Sequence, residues 1–162
     1  LVQRCQVHKR RNVGEYLPED ERAAVRAAMQ QAYELSDANE ARGQLEELAV
    51  RLERTHPGAA SSLREGLEET LTVQRLRIGG HLYRTLRSTN VLESLNERVA
   101  AYRRNVKRWR DGEMVMRWVG MALKDAEAHF RRVRGHRDLK HLAAALKAIA
   151  EKELDKKVKK AA

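Results

Sequence analysis

One cysteine in 162 residues, Cys5, leaves no internal disulfide framework and fits a reducing compartment. Proline occurs twice and glycine nine times, so few positions interrupt regular structure. Aromatic residues make up only 4%, which leaves Leu, Val and Ala to fill a core. No apolar run approaches the roughly 20 residues of a membrane-spanning helix, and Leu1 opens no signal-peptide pattern. No membrane partner is therefore expected. What is present is 42% apolar and 35% charged residues, the balance of a soluble helical protein. The length suffices for one domain with a real core, or for a small domain plus part of another. With Leu1 in place of an initiator Met, the chain reads as a fragment.

The net charge of +10 is unevenly spread. Residues 15–70 carry thirteen acids against six Arg, whereas residues 98–137 carry twelve Lys/Arg against four acids. The basic half invites polyanions and the acidic segment does not.

Leu1–His8 alternates apolar and polar residues loosely and predicts a short strand. A lone strand is not stable, so this one implies a sheet whose other strands lie elsewhere. Cys5 and His8 form a Cys-x-x-His pair, but a metal site needs two more ligands at suitable spacing. The remaining histidines are scattered, so a buried thiol and a hydrogen-bonded imidazole are expected instead. Three amphipathic helices follow, over about 18–35, 36–56 and 59–77, acidic outside and Leu/Ala inside. Ile78-Gly79-Gly80-His81 then breaks the pattern.

Ser88-Thr89-Asn90-Val91-Leu92-Glu93-Ser94-Leu95-Asn96 opens a helix expected to run to Trp109. Asn90 is the predicted N-cap, with Glu93 closing a capping box. Val91, Leu95, Val99, Tyr102 and Val106 form the predicted buried stripe. Glu93, Asn96, Ala100, Arg103, Arg104 and Lys107 share another face, with one carboxylate at the head of a row of cations. On pattern alone this suits first a capping acid on a solvated face, and second an acid placed beside a nucleic-acid backbone. A further helix carries Met114, Val115, Trp118, Val119, Met121, Ala122, Leu123, Ala126 and Phe130, and is expected to be the best buried. Trp109 and Trp118 are read as core rather than as base-stacking platforms. Gly135 is the expected C-cap after Arg131–Arg134. A last helix starts near Asp138 and fades into the Lys-rich stretch 151–162, expected to fray.

Two segments together resemble a known family. Gln3-Arg4-Cys5-Gln6-Val7-His8-Lys9-Arg10-Arg11-Asn12 resembles the Gln-Arg-Cys-x-x-His-Lys-x-x-Asn signature of Mutator-type bacterial insertion-sequence transposases. Thr89-Asn90-Val91-Leu92-Glu93-Ser94-Leu95-Asn96 resembles that family's Thr-Asn-x-x-Glu-x-x-Asn signature. The resemblance covers most of residues 1 to about 135. It implies a mainly α chain: a helical insertion domain plus the C-terminal part of a ribonuclease-H-like catalytic fold, with one short N-terminal strand. The implied divisions are 1–14 for the late strand, 15–80 for the insertion, 81–135 for the catalytic helix and those after it, and 136–162 for the last helix and Lys-rich tail.

By the same resemblance, Glu93 is the third acid of an Asp-Asp-Glu triad holding Mg²⁺ or Mn²⁺ in the full-length enzyme. Arg84, Arg87, Asn90, Asn96, Arg103, Arg104, Lys107 and Arg108 are the expected DNA contacts, and Cys5, His8, Lys9 and Asn12 are structural residues near the site. The implied partners are transposon ends and target DNA, with a homo-oligomer as the working form and a cytoplasmic, nucleoid-associated location. The family's two Asp lie upstream of the Cys-x-x-His element, and Asp20, the first Asp here, does not match either. The chain alone is thus expected to bind metal poorly and to cleave nothing. Two alternatives are a non-catalytic helical nucleic-acid-binding or adaptor protein, and a module whose acidic helices bind a basic partner.

Overall fold

The computed structural model describes residues 1–161, with side chains as far as Leu154. Among these residues the regular structure is all helical: α1 (Gln6–Glu15), α2 (Glu19–Glu34), α3 (Ala38–Glu53), α4 (Pro57–Arg64), α5 (Leu67–Thr70), α6 (Thr72–Arg75), α7 (Gly80–Leu86), α8 (Asn90–Arg103), α9 (Gly112–Ala128) and α10 (Leu139–Ala161), with one 3-10 turn at His136–Asp138. The chain divides into two compact units, Leu1–Ser88 with the residues from Arg134 onward, and Thr89–Val133.

The first unit is built on helix faces that the sequence spells out. Val25, Met29, Ala32 and Tyr33 line the buried side of α2, and Ala41, Leu45, Leu48, Ala49 and Leu52 that of α3. Ala59, Ala60 and Leu63 of α4 complete the contact. Asp37 caps α3, its carboxylate accepting the backbone N–H groups of Asn39 at 2.8 Å and Glu40 at 2.9 Å. These bonds hold its pKa below the ordinary value. A second cluster of Val73, Ile78, Leu82 and Tyr83 receives Leu142 from α10. Each fully buried Leu contributes about 2 kcal/mol of transfer free energy.

The predicted strand over Leu1–His8 is not formed; Gln6 onward is helix α1. The buried face of α1 is Gln6, Lys9 and Val13, at helical spacing but mostly polar. The burial of Gln6 and Lys9 is sustained because both side chains find partners. The backbone N–H of Arg4 bonds to the carbonyl of Glu69 at 3.0 Å, and that of Gln6 to Arg87 at 2.9 Å. Gln3 donates to the Thr70 carbonyl at 2.9 Å while its Oε1 accepts from the Val73 N–H, also at 2.9 Å. Gln6 donates to the same Thr70 carbonyl at 2.9 Å. Lys9 Nζ donates to the Ser62 carbonyl at 2.6 Å and to that of Glu65. The ammonium therefore sits on the C-terminal carbonyls of α4, where the helix dipole favours a cation.

The single helix predicted over 59–77 is broken into α4, α5 and α6. Gly66 stands at φ +62°, a left-handed conformation that glycine alone adopts without strain. A Cβ there would meet the Arg4 guanidinium at 2.6–2.7 Å. Gly135 is likewise no C-cap of α9, which ends at Ala128. At φ +82° it lets the chain pass close to α7, where a Cβ would lie 2.3 Å from the Leu82 nitrogen.

The second unit is α8 packed on α9, and it buries little. Its fully buried apolar residues are Ala122 and Ala126. The stripe predicted to be buried on α8 is not: Val91 is exposed, and Leu95, Val99, Tyr102 and Val106 are half-buried. Nor is α9 the best-buried helix, since Met116, Met121 and Phe130 are exposed and Trp118 is 38% exposed. Helix α8 stops at Arg103 rather than Trp109, turning through a bond from the Val106 N–H to the Arg103 carbonyl at 2.9 Å. Asp111 starts α9 afresh by accepting the Met114 N–H at 2.7 Å. The backbone of α10 is helical through the stretch expected to fray; the side chains of 155–162 and the structure of residue 162 lie outside the described residues.

Candidate nucleic-acid interface

Glu93 lies in the first turn of α8, exposed. The helix is capped at Thr89, one residue before the predicted Asn90. The Thr89 hydroxyl caps no backbone N–H; it donates instead to the Glu93 carboxylate, while the Glu93 N–H bonds to the Thr89 carbonyl at 2.9 Å. The Thr89 hydroxyl thereby fixes one oxygen of the carboxylate. Spacing alone did not reveal this partner, because a Thr before an Asn reads as a spare capping residue.

Asn90 and Asn96 are exposed on the same helix as Glu93. Arg103 closes α8 and Arg104 is its C-cap, both exposed and both favoured by the dipole there. At about 1.5 Å per residue, some 15 Å separate Glu93 from Arg103 along the axis. Lys107 and Arg108 are exposed beyond the end of the helix, so the row of cations continues on a loop. The second unit carries ten Lys/Arg against six acids.

The other expected contacts lie in the first unit. Arg84 is exposed on α7. Arg87 is held by Glu34 at 2.7 Å, with its guanidinium carbon 5.3 Å from the centre of the Tyr83 ring. Cys5 occupies the N-cap position of α1, half-buried like His8, while Asn12 is exposed. Lys9 is buried, and burial lowers its pKa, opposed by the nearby Glu65. Gln3 and Gln6, which sequence reasoning passed over, each bond to groups of the α5–α7 stretch.

The acidic helices are largely neutralised from within. Arg64 pairs with Glu46 at 2.7 Å and Glu53 at 3.0 Å, and Glu68 is shared by Arg42 at 2.6 Å and Arg75 at 2.7 Å. Arg4 holds Glu65 at 2.7 Å and pairs also with Glu69. Arg4 and Lys9 together hold the Glu65 carboxyl below the ordinary range. The resulting contrast is an acidic surface already paired and a basic one turned outward. Among the described residues no three His, Cys, Asp or Glu side chains gather into a group that could hold a metal ion. Glu93 offers one hard oxygen ligand of the kind Mg²⁺ takes.

The sequence pattern of the family described as "Transposase, Mutator family" matches residues 1–133. The transposase for insertion sequence element ISRM5 of Rhizobium meliloti (strain 1021) is 34% identical over 97 residues, covering 60% of this chain and 24% of that protein. The transposase for insertion sequence element IS256 in transposon Tn4001 of Staphylococcus aureus is 27% identical over 125 residues, 76% of this chain and 31% of that one. The same figures hold for its counterpart in Enterococcus faecalis (strain ATCC 700802 / V583). The chain thus spans less than a third of the length of these curated relatives. No solved structure matches it.

Proposed function

This chain belongs to the Mutator family of transposases, and from that membership we propose that it is the C-terminal part of an enzyme that cuts and joins DNA strands at the ends of an insertion sequence. In this reading the enzyme has a ribonuclease-H-like catalytic fold, residues 15–80 are its helical insertion, and α8 is its last catalytic helix. Glu93 is one of three acids, the other two being Asp side chains outside this chain. The observation that carries the reading is the Thr89–Glu93 pair: a carboxylate held by a hydroxyl, at the exposed start of a helix that ends in cations.

When bound, Mg²⁺ or Mn²⁺ supplies an activated oxygen nucleophile and stabilises the leaving oxygen. Glu93 contributes a ligand oxygen, oriented by Thr89. Arg103, Arg104, Lys107 and Arg108 hold the phosphate backbone about 15 Å away, some four base pairs at 3.4 Å each. Phosphate contacts position the DNA without reading its sequence. The apolar side chains left outside on α8 and α9 support the view that the second unit packs against the rest of a catalytic fold. The DNA-bound enzyme works as a homo-oligomer in the cytoplasm, at the nucleoid. One acid of three is too few to bind the metal pair, so the chain alone is inactive.

In the complete transposase, Glu93→Gln should abolish strand cleavage and joining while leaving binding to transposon ends within about twofold. Gel assays of end cleavage and of end binding on the same preparation test this. Cleavage retained by the variant would assign the helix to a non-catalytic nucleic-acid-binding role.

A further inference from the structure

Trp118 does not take the core role expected of it. One side of the indole closes a narrow crevice with Val99, Tyr102 and Trp109. Another borders a separate open groove of about 360 Å³ whose remaining lining is Arg110, Met114, Arg117 and Met121. Met114, Trp118 and Met121 recur at four- and three-residue steps, so they form one row along α9. Arg110 and Arg117 line the same groove. The lining holds two guanidinium groups and no carboxylate.

We propose that this groove binds an unstacked base of single-stranded DNA, with Trp118 as the stacking surface and Arg110 and Arg117 on the phosphates either side. A base is a flat apolar ring between two anions, and the groove combines a flat apolar ring with two cations. Guanidinium groups match phosphate oxygens bidentately, and stacking on an aromatic ring tolerates any base. Met side chains adjust to rings of different size. A duplex hides its base faces, so the site discriminates single from double strands. The charge of the unit favours nucleic acid over an apolar peptide, with ten cations against six acids. The inference rests on the second unit facing DNA, and it adds a residue class, the stacking platform, that phosphate contacts alone do not provide.

The test titrates the 162-residue chain with an oligothymidylate and with a blunt duplex of equal length. Labelled-DNA anisotropy gives the affinity, and tryptophan emission gives the stacking. The single strand should quench the emission. Trp118→Ala should weaken single-strand binding about tenfold while duplex affinity stays within twofold. Trp118→Phe, which keeps a ring and guards against a folding defect, should retain most of the affinity and lose most of the quench. Arg110→Gln and Arg117→Gln should each reduce the single-strand salt slope by about 0.7.

Equal weakening for both DNA forms, or none for the single strand, overturns the proposal. So does loss of a concentration-dependent dimer in sedimentation with DNA affinity intact, since the groove would then belong to a second copy. Absence of salt-sensitive binding to either DNA form removes the DNA-facing reading itself. Duplex binding that persists while the Trp118 variants behave like wild type removes only the stacking site.

Discussion

Leu45 and Trp118 mark the two ways this chain treats its apolar residues. Leu45 is wholly enclosed in the core that α2, α3 and α4 form. Trp118 keeps 38% of its surface in solvent, on a unit that fully buries only two alanines among its described apolar residues. The first unit has its core inside it. The second has the composition of a core element but presents that surface outward, as an interface does.

The contrast can be broken most sharply by truncation. Leu45→Ala should cost about 3 kcal/mol in urea unfolding followed by far-ultraviolet circular dichroism. Leu92→Ala, at a site 60% exposed, should change stability by less than about 0.5 kcal/mol in the same chain. Similar losses from the two would erase the distinction between the units.

Next in size is the buried ammonium of the first unit. Lys9→Met removes the donor from the Ser62 and Glu65 carbonyls and should cost about 2 kcal/mol by the same measurement. A neutral result would mean that the N-terminal signature is not held to α4 through this side chain.

The smallest effect expected is with acid. Asp37 and Glu65 both have folded-state pKa values below their ordinary ones, 3.8 and 4.5. Their contributions are therefore complete above those values and are lost as pH falls through the lower folded ones. Asp37→Asn keeps an N-cap acceptor and should flatten part of the decline below pH 4. An unchanged acid profile in that variant would show that the cap titrates without affecting stability.

How much of this was legible depended on what the buried positions were made of. The helices α2 and α3 follow from apolar residues at three- and four-residue steps, and Asp37 announces its own cap. Helix α1 hid because its inward face is Gln6 and Lys9, whose burial depends on carbonyls some sixty residues away. The break at Gly66 hid for a related reason: its left-handed turn sits against Arg4, a residue distant in sequence. On α8 and α9 the periodicity gave the apolar faces correctly but said nothing of what covers them, and burial is a property of the neighbour. The family was readable from two short signatures in order. Glu93 stood out within one of them, whereas the Thr89 hydroxyl bonded to it needed coordinates.

The passage at Gly135 bears on how the molecule is assembled. The Thr85 hydroxyl donates to the Arg134 carbonyl at 3.1 Å, so the chain returns to the first unit beside the helix from which it departed. The 45 residues in between form a cassette, mounted by both ends on a single anchorage. A change of length or sequence within such a cassette need not displace the host's own elements in register. Selection can therefore revise the cassette without renegotiating the bundle that carries it.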